Sequence, residues 1–121
     1  NSMPLDYKYV VAPMVEQSEL AWRMMMRTHR ATLCYTPMMN GNIFIRDEKY
    51  RQQELEFHKL DRPLIVQFAS NEPDIFLNCA KIVESQCDGV DLNLGCPQNI
   101  ARRGSGLIHY LTRILWKLFT G

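Results

Sequence analysis

The sequence has no uninterrupted apolar run of the roughly 18 residues that a membrane-spanning helix needs. Its four cysteines form no Cys-x-x-Cys pair and no histidine cluster accompanies them, which argues against a zinc site. The first residues lack the basic and apolar pattern of a secretory signal. We therefore expect no membrane span, no metal, reduced thiols, and a cytoplasmic or nuclear location.

The sequence also lacks an excess of charge of either sign. Fourteen Lys and Arg residues face thirteen Asp and Glu residues, so the net charge of +1 argues neither for nor against a nucleic-acid partner. With 46% apolar and 22% charged residues, the composition is that of an ordinary globular protein. The 121 residues suffice for one domain but fall short of the roughly 250 of a complete (β/α)8 barrel.

Short apolar runs alternate with helix-like segments along the chain. Strands are predicted at residues 7–13, 31–35, 63–69 and 88–94. Helices are predicted at residues 19–29, with Ser18 as N-cap, and from residues 71–74 onward, with Pro73 in the first turn and an apolar face of Ile75, Phe76, Cys79, Ile82 and Val83. Residues 38–45 are predicted as a loop or turn, and residues 46–59 as a short helix or a solvated connection. The alternation indicates βαβ units and a parallel sheet.

Polar residues and prolines stand at or near the carboxyl ends of these strands. They are Pro13, Gln67, Asn93 and, just beyond the last strand, Cys96. Because ligands of parallel α/β folds bind at the carboxyl ends of the strands, we expect the functional site there.

Each of these residues also has a purely structural interpretation. Cys96 could aim a thiol at a ligand and act as a general acid, or be a small buried packing residue. Gln67 interrupts an apolar strand, so its amide bonds either a neighbouring backbone or a ligand. Strand alternation points Asn93 inward together with Asp91, and Asp91 is interpreted as structural. Pro13 and Met14 suit the face of a flat cofactor, although Met14 alone is more typical of core filling.

The remaining candidates favour structural interpretations. Three other cysteines are predicted to be packing residues: Cys34, Cys79 and Cys87. The basic end of the first helix is interpreted as a solvated face rather than a phosphate site; it contains Arg23, Arg27, His29 and Arg30.

Four blocks of the sequence together resemble the tRNA-dihydrouridine synthase family. They are VAPMVEQSELAWR (11–23), LCYTPM (33–38), DRPLIVQFASNEP (61–73) and DGVDLNLGCPQNIARRG (88–104). The N-x-G-C-P-Q block with upstream A-P-M and V-Q-F segments is highly specific, and the likeness is strongest to the eukaryotic branch that reduces uridines 16 and 17 of the tRNA D-loop.

The resemblance implies an FMN-dependent TIM barrel, of which this chain holds the N-terminal half, normally followed by a helical tRNA-binding domain. NADPH reduces FMN, hydride then reaches C6 of a flipped uracil, and a cysteine protonates C5. Carried onto this chain, Cys96 is the general acid, Pro13 and Met14 lie against the flavin, Gln67 bonds its ring, and Asn93 holds the uracil.

The likeness weakens after Gly104, where the family's Y-G-A segment does not follow. We therefore divide the chain into residues 1–104, the N-terminal part of an FMN-binding barrel, and a divergent tail, residues 105–121. An apolar stripe predicts an amphipathic helix in that tail: Leu107, Ile108, Leu111, Ile114, Leu115 and Leu118. It is interpreted as covering an open edge or the exposed interior, with a partner-binding or membrane-surface helix as alternatives.

Two functions follow as expectations. The first is uridine reduction in the tRNA D-loop, with the 121-residue chain inactive on its own because later family segments are missing from it. The second is a non-catalytic truncated product that binds a protein or RNA partner. A reductase of small enones is a weaker third, because the Asn93 and Cys96 pair matches the tRNA enzymes. The sequence leaves the oligomeric state open.

Overall fold

Five short parallel strands and four helices form residues 5–94, the part of the chain that the computed structural model describes. The strands are β1 (Val10–Val11), β2 (Leu33–Tyr35), β3 (Met39–Asn40), β4 (Leu64–Ala69) and β5 (Gly89–Asn93). The helices are α1 (Leu20–Thr28), α2 (Gly41–Arg46), α3 (Glu48–Glu54) and α4 (Pro73–Val83). The tail helix predicted for residues 105–121 lies outside the described residues.

Four of the strands, β1, β2, β4 and β5, follow one another across the sheet in chain order. β1 pairs with β2, and β2 pairs with the start of β4 through Cys34 and Leu64. β3 pairs with the end of β4 on the same edge, and β5 occupies the opposite edge from Ile65 to Ala69. A parallel sheet whose strands are added successively on one side is wound like the first part of a (β/α)8 barrel, which confirms the predicted α/β fold.

The core lies between β4 and the helices on one face of the sheet. Alternation along β4 sends Val66 and Phe68 to this face, and the Phe68 ring meets Phe44 of α2 edge-on with ring centroids 4.9 Å apart. Met39, Cys79, Val83 and Cys87 complete the buried cluster. Within α4, Ile75 and Phe76 pack against this cluster, whereas Ile82, predicted on the apolar face, is exposed.

The prediction of a loop at residues 38–45 is wrong, because this segment forms β3 and most of α2. The Asn40 side chain accepts a hydrogen bond from the Ile43 N–H, so it caps α2 where the sequence suggested a turn. A Cβ on Gly41 would lie 3.2 Å from the Ala69 carbonyl oxygen, so glycine lets α2 begin directly against the end of β4. Residues 46–59 are predicted as a short helix or a solvated connection, and the structure has a short helix there, α3.

Ser18 does not cap α1 as predicted. Glu19 is the N-cap residue and makes no side-chain capping bond. The Ser18 hydroxyl instead accepts a hydrogen bond from the Met14 N–H (2.9 Å) and donates one to the Met14 carbonyl (3.1 Å). Ser18 is buried, and its two hydrogen bonds close the loop between β1 and α1 and hold the Met14 backbone in place.

The interpretation of the basic residues of α1 as a solvated face is wrong for two of them. Arg23 is 2% exposed, and its Nε donates to Asp61, which is 1% exposed, at 2.7 Å. Arg27 donates from Nε to the other oxygen of the same carboxylate at 2.8 Å. Their remaining guanidinium donors reach the carbonyls of Ser18, Glu56 and Pro63. A spacing of four residues places both arginines on one face of α1, and this face packs toward the protein interior because both side chains bind the buried Asp61.

We expect Asp61→Asn to lower the free energy of unfolding by about 3–5 kcal/mol, since it leaves two guanidinium charges without a counter-charge. Urea denaturation followed by circular dichroism measures the loss. Asp74→Asn, at an exposed position in the first turn of α4, is the matched control. Equal stability of the two variants would contradict a structural role for the Asp61 cluster.

Candidate functional site

Three polar side chains stand together on the face of the sheet opposite to the helix-packed core. The register pairs Gln67 with Asp91, and Ala69 with Asn93, so alternation puts Gln67, Asp91 and Asn93 on one face. Val66 and Phe68 point to the other face. In the winding of a barrel, the face away from the helices is the interior. The predicted inward orientation of Asn93 with Asp91 is therefore confirmed.

The three side chains are joined in one hydrogen-bonded chain. Gln67 Nε2 donates to Asp91 Oδ2 at 2.6 Å, and Asn93 Nδ2 donates to Gln67 Oε1 at 3.2 Å. Gln67 is 6% exposed, and among the described residues its side-chain partners are these two groups of β5 rather than the backbone. Its backbone N–H donates to the Thr36 hydroxyl at 3.1 Å, which links β4 to the end of β2. We call Gln67, Asp91 and Asn93 the amide cluster.

Tyr35 belongs to the surroundings of the amide cluster, and sequence reasoning missed it. It ends β2 and pairs in register with Ile65, which lies on the same face as Gln67. Burial raises the pKa of the Tyr35 phenol, and the negative charge of Asp91 and the nearby Tyr7 raise it further. The phenol therefore stays protonated at neutral pH. The signal in the sequence that could have identified it is a tyrosine at the end of an otherwise apolar strand.

Pro13 and Met14 lie in the loop that follows β1. The Met14 side chain is 50% exposed, so it is not core filling. It lines an open cavity of about 600 Å³ together with Trp22 and Met25 of α1 and the acidic Glu16 and Glu19. Within residues 5–94, no hydrogen bond joins this loop to the amide cluster. The loop thus presents an accessible thioether on a backbone fixed by Ser18.

Cys96, the predicted general acid, lies outside the described residues, three positions after Asn93. The other cysteines are buried, which confirms their prediction as packing residues. Burial raises the pKa of all three thiols, that of Cys79 to about 11. The Cys79 and Cys87 sulfurs donate to the carbonyls of Gly41 and Val83. These thiols are poor nucleophiles and poor acids at neutral pH.

Residues 5–94 contain no group of three or more His, Cys, Asp or Glu side chains arranged to hold a metal ion. Their longest helix, α4 with 11 residues, is too short to cross a membrane.

The winding of the sheet and the amide cluster together define the class of protein to which this chain belongs. Successive parallel strands, helices on the outer face and polar side chains near the carboxyl ends are the arrangement of (β/α)8-barrel proteins.

Comparison with known proteins narrows this class. The sequence profile of the dihydrouridine synthase (Dus) family matches residues 10–110. A tRNA-dihydrouridine(16/17) synthase [NAD(P)(+)]-like protein of Rattus norvegicus is 54% identical over 99 residues, covering 80% of this chain and 23% of the relative. The tRNA-dihydrouridine(16/17) synthase [NAD(P)(+)] of Saccharomyces cerevisiae is 49% identical over 120 residues, covering 89% of this chain and 28% of the relative. A human tRNA-dihydrouridine(20a/20b) synthase [NAD(P)+]-like protein is 44% identical over 92 residues, covering 76% of this chain and 29% of the relative.

The chain belongs to the dihydrouridine synthase family. It spans about a quarter of the length of the rat and yeast relatives. The family match extends six residues past Gly104, where the motif resemblance weakens. The division of the chain at Gly104 remains a prediction.

We expect the three buried thiols to resist a thiol reagent at pH 8 in the native protein and to react in urea. With a pKa of about 11, roughly one Cys79 thiol in a thousand is ionised at pH 8, and burial also blocks the reagent. The measurement is the absorbance of released thionitrobenzoate in the variant Cys96→Ala, which leaves only these three. Reactivity should rise as the pH approaches 11, and fast reaction of all three at pH 8 would contradict the buried packing role.

Proposed function

We propose that this chain forms part of the active site of a flavin-dependent tRNA-dihydrouridine synthase, which reduces uridine to 5,6-dihydrouridine in the D-loop. The observation that carries the proposal is the hydrogen bond from Asn93, the last residue of β5, to Gln67 in the second half of β4. Family membership and the names of the rat and yeast relatives support the same reaction, and positions 16 and 17 as its targets. The proposed location is the cytoplasm or the nucleus.

The chemistry of the described side chains fits an FMN ring. The Gln67 amide nitrogen has two protons and gives one to Asp91, so the second remains to be donated to an acceptor on the ring edge. Pro13 and the exposed Met14 thioether offer a short, apolar support for the flat face of a ring. When bound, FMN reduced by NADPH supplies the hydride that adds to C6 of the uracil.

The amide of Asn93 suits the uracil. An amide presents a donor and an acceptor side by side, which complements the N3–H and carbonyl edge of that base. The C5–C6 bond is unreachable in stacked RNA, so the target nucleotide must be flipped out before Asn93 can hold it. Holding the base at a fixed distance from the reduced ring is the main contribution of these residues.

Cys96 supplies the proton in this proposal. Its thiol transfers H⁺ to C5 as hydride adds to C6, so the C5=C6 double bond becomes single and the thiolate regains a proton from water. A thiol with an ordinary pKa near 8.5 is mostly protonated at neutral pH, which the role requires.

A chimera tests this function. Residues 8–104 replace the matching segment of the yeast synthase, and tRNA from a strain lacking that enzyme is assayed for dihydrouridine at positions 16 and 17. We expect the modification to return, and Cys96→Ala to lower the rate by about 10²–10⁴-fold, the usual contribution of a general acid. Cys87→Ala, which removes a buried thiol, is the control.

A folded chimera that leaves positions 16 and 17 unmodified would contradict the proposed reaction. A chimera in which Cys96→Ala and Cys87→Ala are equally active would contradict the acid role alone.

Assayed by itself, the 121-residue chain is expected to form little or no dihydrouridine. By the resemblance, the flavin phosphate-binding strands and the later catalytic segments of the family are missing from its sequence. The assay is mass spectrometry of nucleosides from tRNA incubated with the chain, FMN and NADPH, with the chimera as the positive control. Turnover comparable to that of the chimera would contradict the expectation.

A non-catalytic binding role is the second candidate, favoured by the open sides of the sheet. Among residues 5–94, β1 pairs only with β2, and β5 pairs only with β4, so each has an unpaired edge. Unpaired parallel edges favour association with another chain. Light scattering of the purified chain distinguishes the two candidates, since a clean monomer counts against this one.

A further inference from the structure

Asp91 has no part in the reaction proposed above, yet it makes the shortest hydrogen bond of the amide cluster, 2.6 Å to Gln67 Nε2. Asp91 is the middle residue of β5 and is half-buried, and a carboxylate loses part of its hydration there. Its placement therefore calls for a function beyond packing.

The carboxylate removes an ambiguity that two amides by themselves would leave. The oxygen and nitrogen ends of an amide have nearly the same shape, so a buried glutamine can adopt either of two orientations. An ionised carboxylate only accepts hydrogen bonds, so Asp91 requires the nitrogen of Gln67 to face it. Gln67 Oε1 must then point away from Asp91.

This orientation is passed to the next side chain. Gln67 Oε1 is an acceptor, and Asn93 donates to it from Nδ2 at 3.2 Å. The Asn93 amide thereby has its nitrogen directed to Gln67 and its oxygen directed elsewhere. One acceptor-only group thus sets the orientation of two amides in sequence.

We propose that Asp91 is a positioning residue that fixes the orientation of the Gln67 amide and, through it, that of Asn93. This inference rests on the proposed function. The orientation of the Gln67 amide decides which of its groups faces the flavin ring, and the orientation of the Asn93 amide decides which of its groups face the uracil. The burial of Gln67, which is 6% exposed, strengthens the effect, because hydrogen bonds in series polarise one another in a medium of low dielectric. The charge of Asp91 also acts on the Tyr35 phenol, whose pKa it raises.

Nuclear magnetic resonance of the ¹⁵N-labelled 121-residue chain, without ligand, tests the orientation itself. The wild-type chain should give one set of side-chain amide signals for Gln67 and one for Asn93. Asp91→Asn introduces a group that donates or accepts, so both orientations become accessible. We expect a second set of signals, or exchange-averaged shifts, at Gln67 and also at Asn93. Asp91→Glu keeps an acceptor-only group and should retain one set.

The exposed Asp74→Asn variant is the matched control and should leave both amides unchanged. A single wild-type set of Asn93 signals in Asp91→Asn would overturn the proposal, because the orientation would not depend on Asp91. Equal disturbance by Asp91→Asn and Asp91→Glu would also overturn it, since that is the result of lost packing alone.

The chimera provides the functional measurement. Replacing a charged acceptor by a neutral one should lower kcat/KM about 5- to 10-fold in Asp91→Asn, with recovery in Asp91→Glu. Full activity of a chimera carrying Asp91→Asn would overturn the positioning role. Inactivity of the chimera with its natural residues would instead refute the proposed function, while the amide signals still decide the orientation.

Discussion

Strand β4 is the element on which the rest of the described fold depends. Its six residues are buried, one edge bonds β2 and β3, and the other edge bonds β5. One face supplies Val66 and Phe68 to the core with α2 and α4, and the other face presents Gln67. Since adjacent residues of a strand point to opposite faces, a shift of one residue would exchange the core with the site.

The two ends of β4 have different roles. Before its first residue, Asp61 joins two arginines of α1 in a buried cluster, and Arg62 bonds Asp88 ahead of β5. These ion pairs join α1, and the residue that precedes β5, to the segment just before β4. Toward the other end, the amide cluster has side chains able to meet a ligand. Stability at the amino ends and function at the carboxyl ends is the division typical of a (β/α)8 barrel.

Within the amide cluster, chemistry and positioning are shared between neighbouring residues of one strand. Asn93 and Asp91 are two positions apart on β5, so both face Gln67, while Val90 and Leu92 point the other way. A proposed ligand-binding amide and the carboxylate that orients it therefore come from one short segment. The same segment leads in sequence directly to Cys96, which brings the proposed proton donor close along the chain to the amide proposed to hold the base.

The sequence by itself determined the alternation of strands and helices, the family, and the side of the sheet on which chemistry is expected. Apolar runs such as residues 63–69 and the block around Asn93 are local signals, so they can be interpreted without knowing their neighbours. Local signals failed at Asn40-Gly41-Asn42, where a turn-like tripeptide starts a helix because glycine permits close approach to β4. They failed again at Arg23 and Arg27, whose burial depends on a carboxylate more than 30 residues away. Only the tertiary structure decided that Gln67 meets Asp91 and Asn93, because strand register is set by pairing between distant segments.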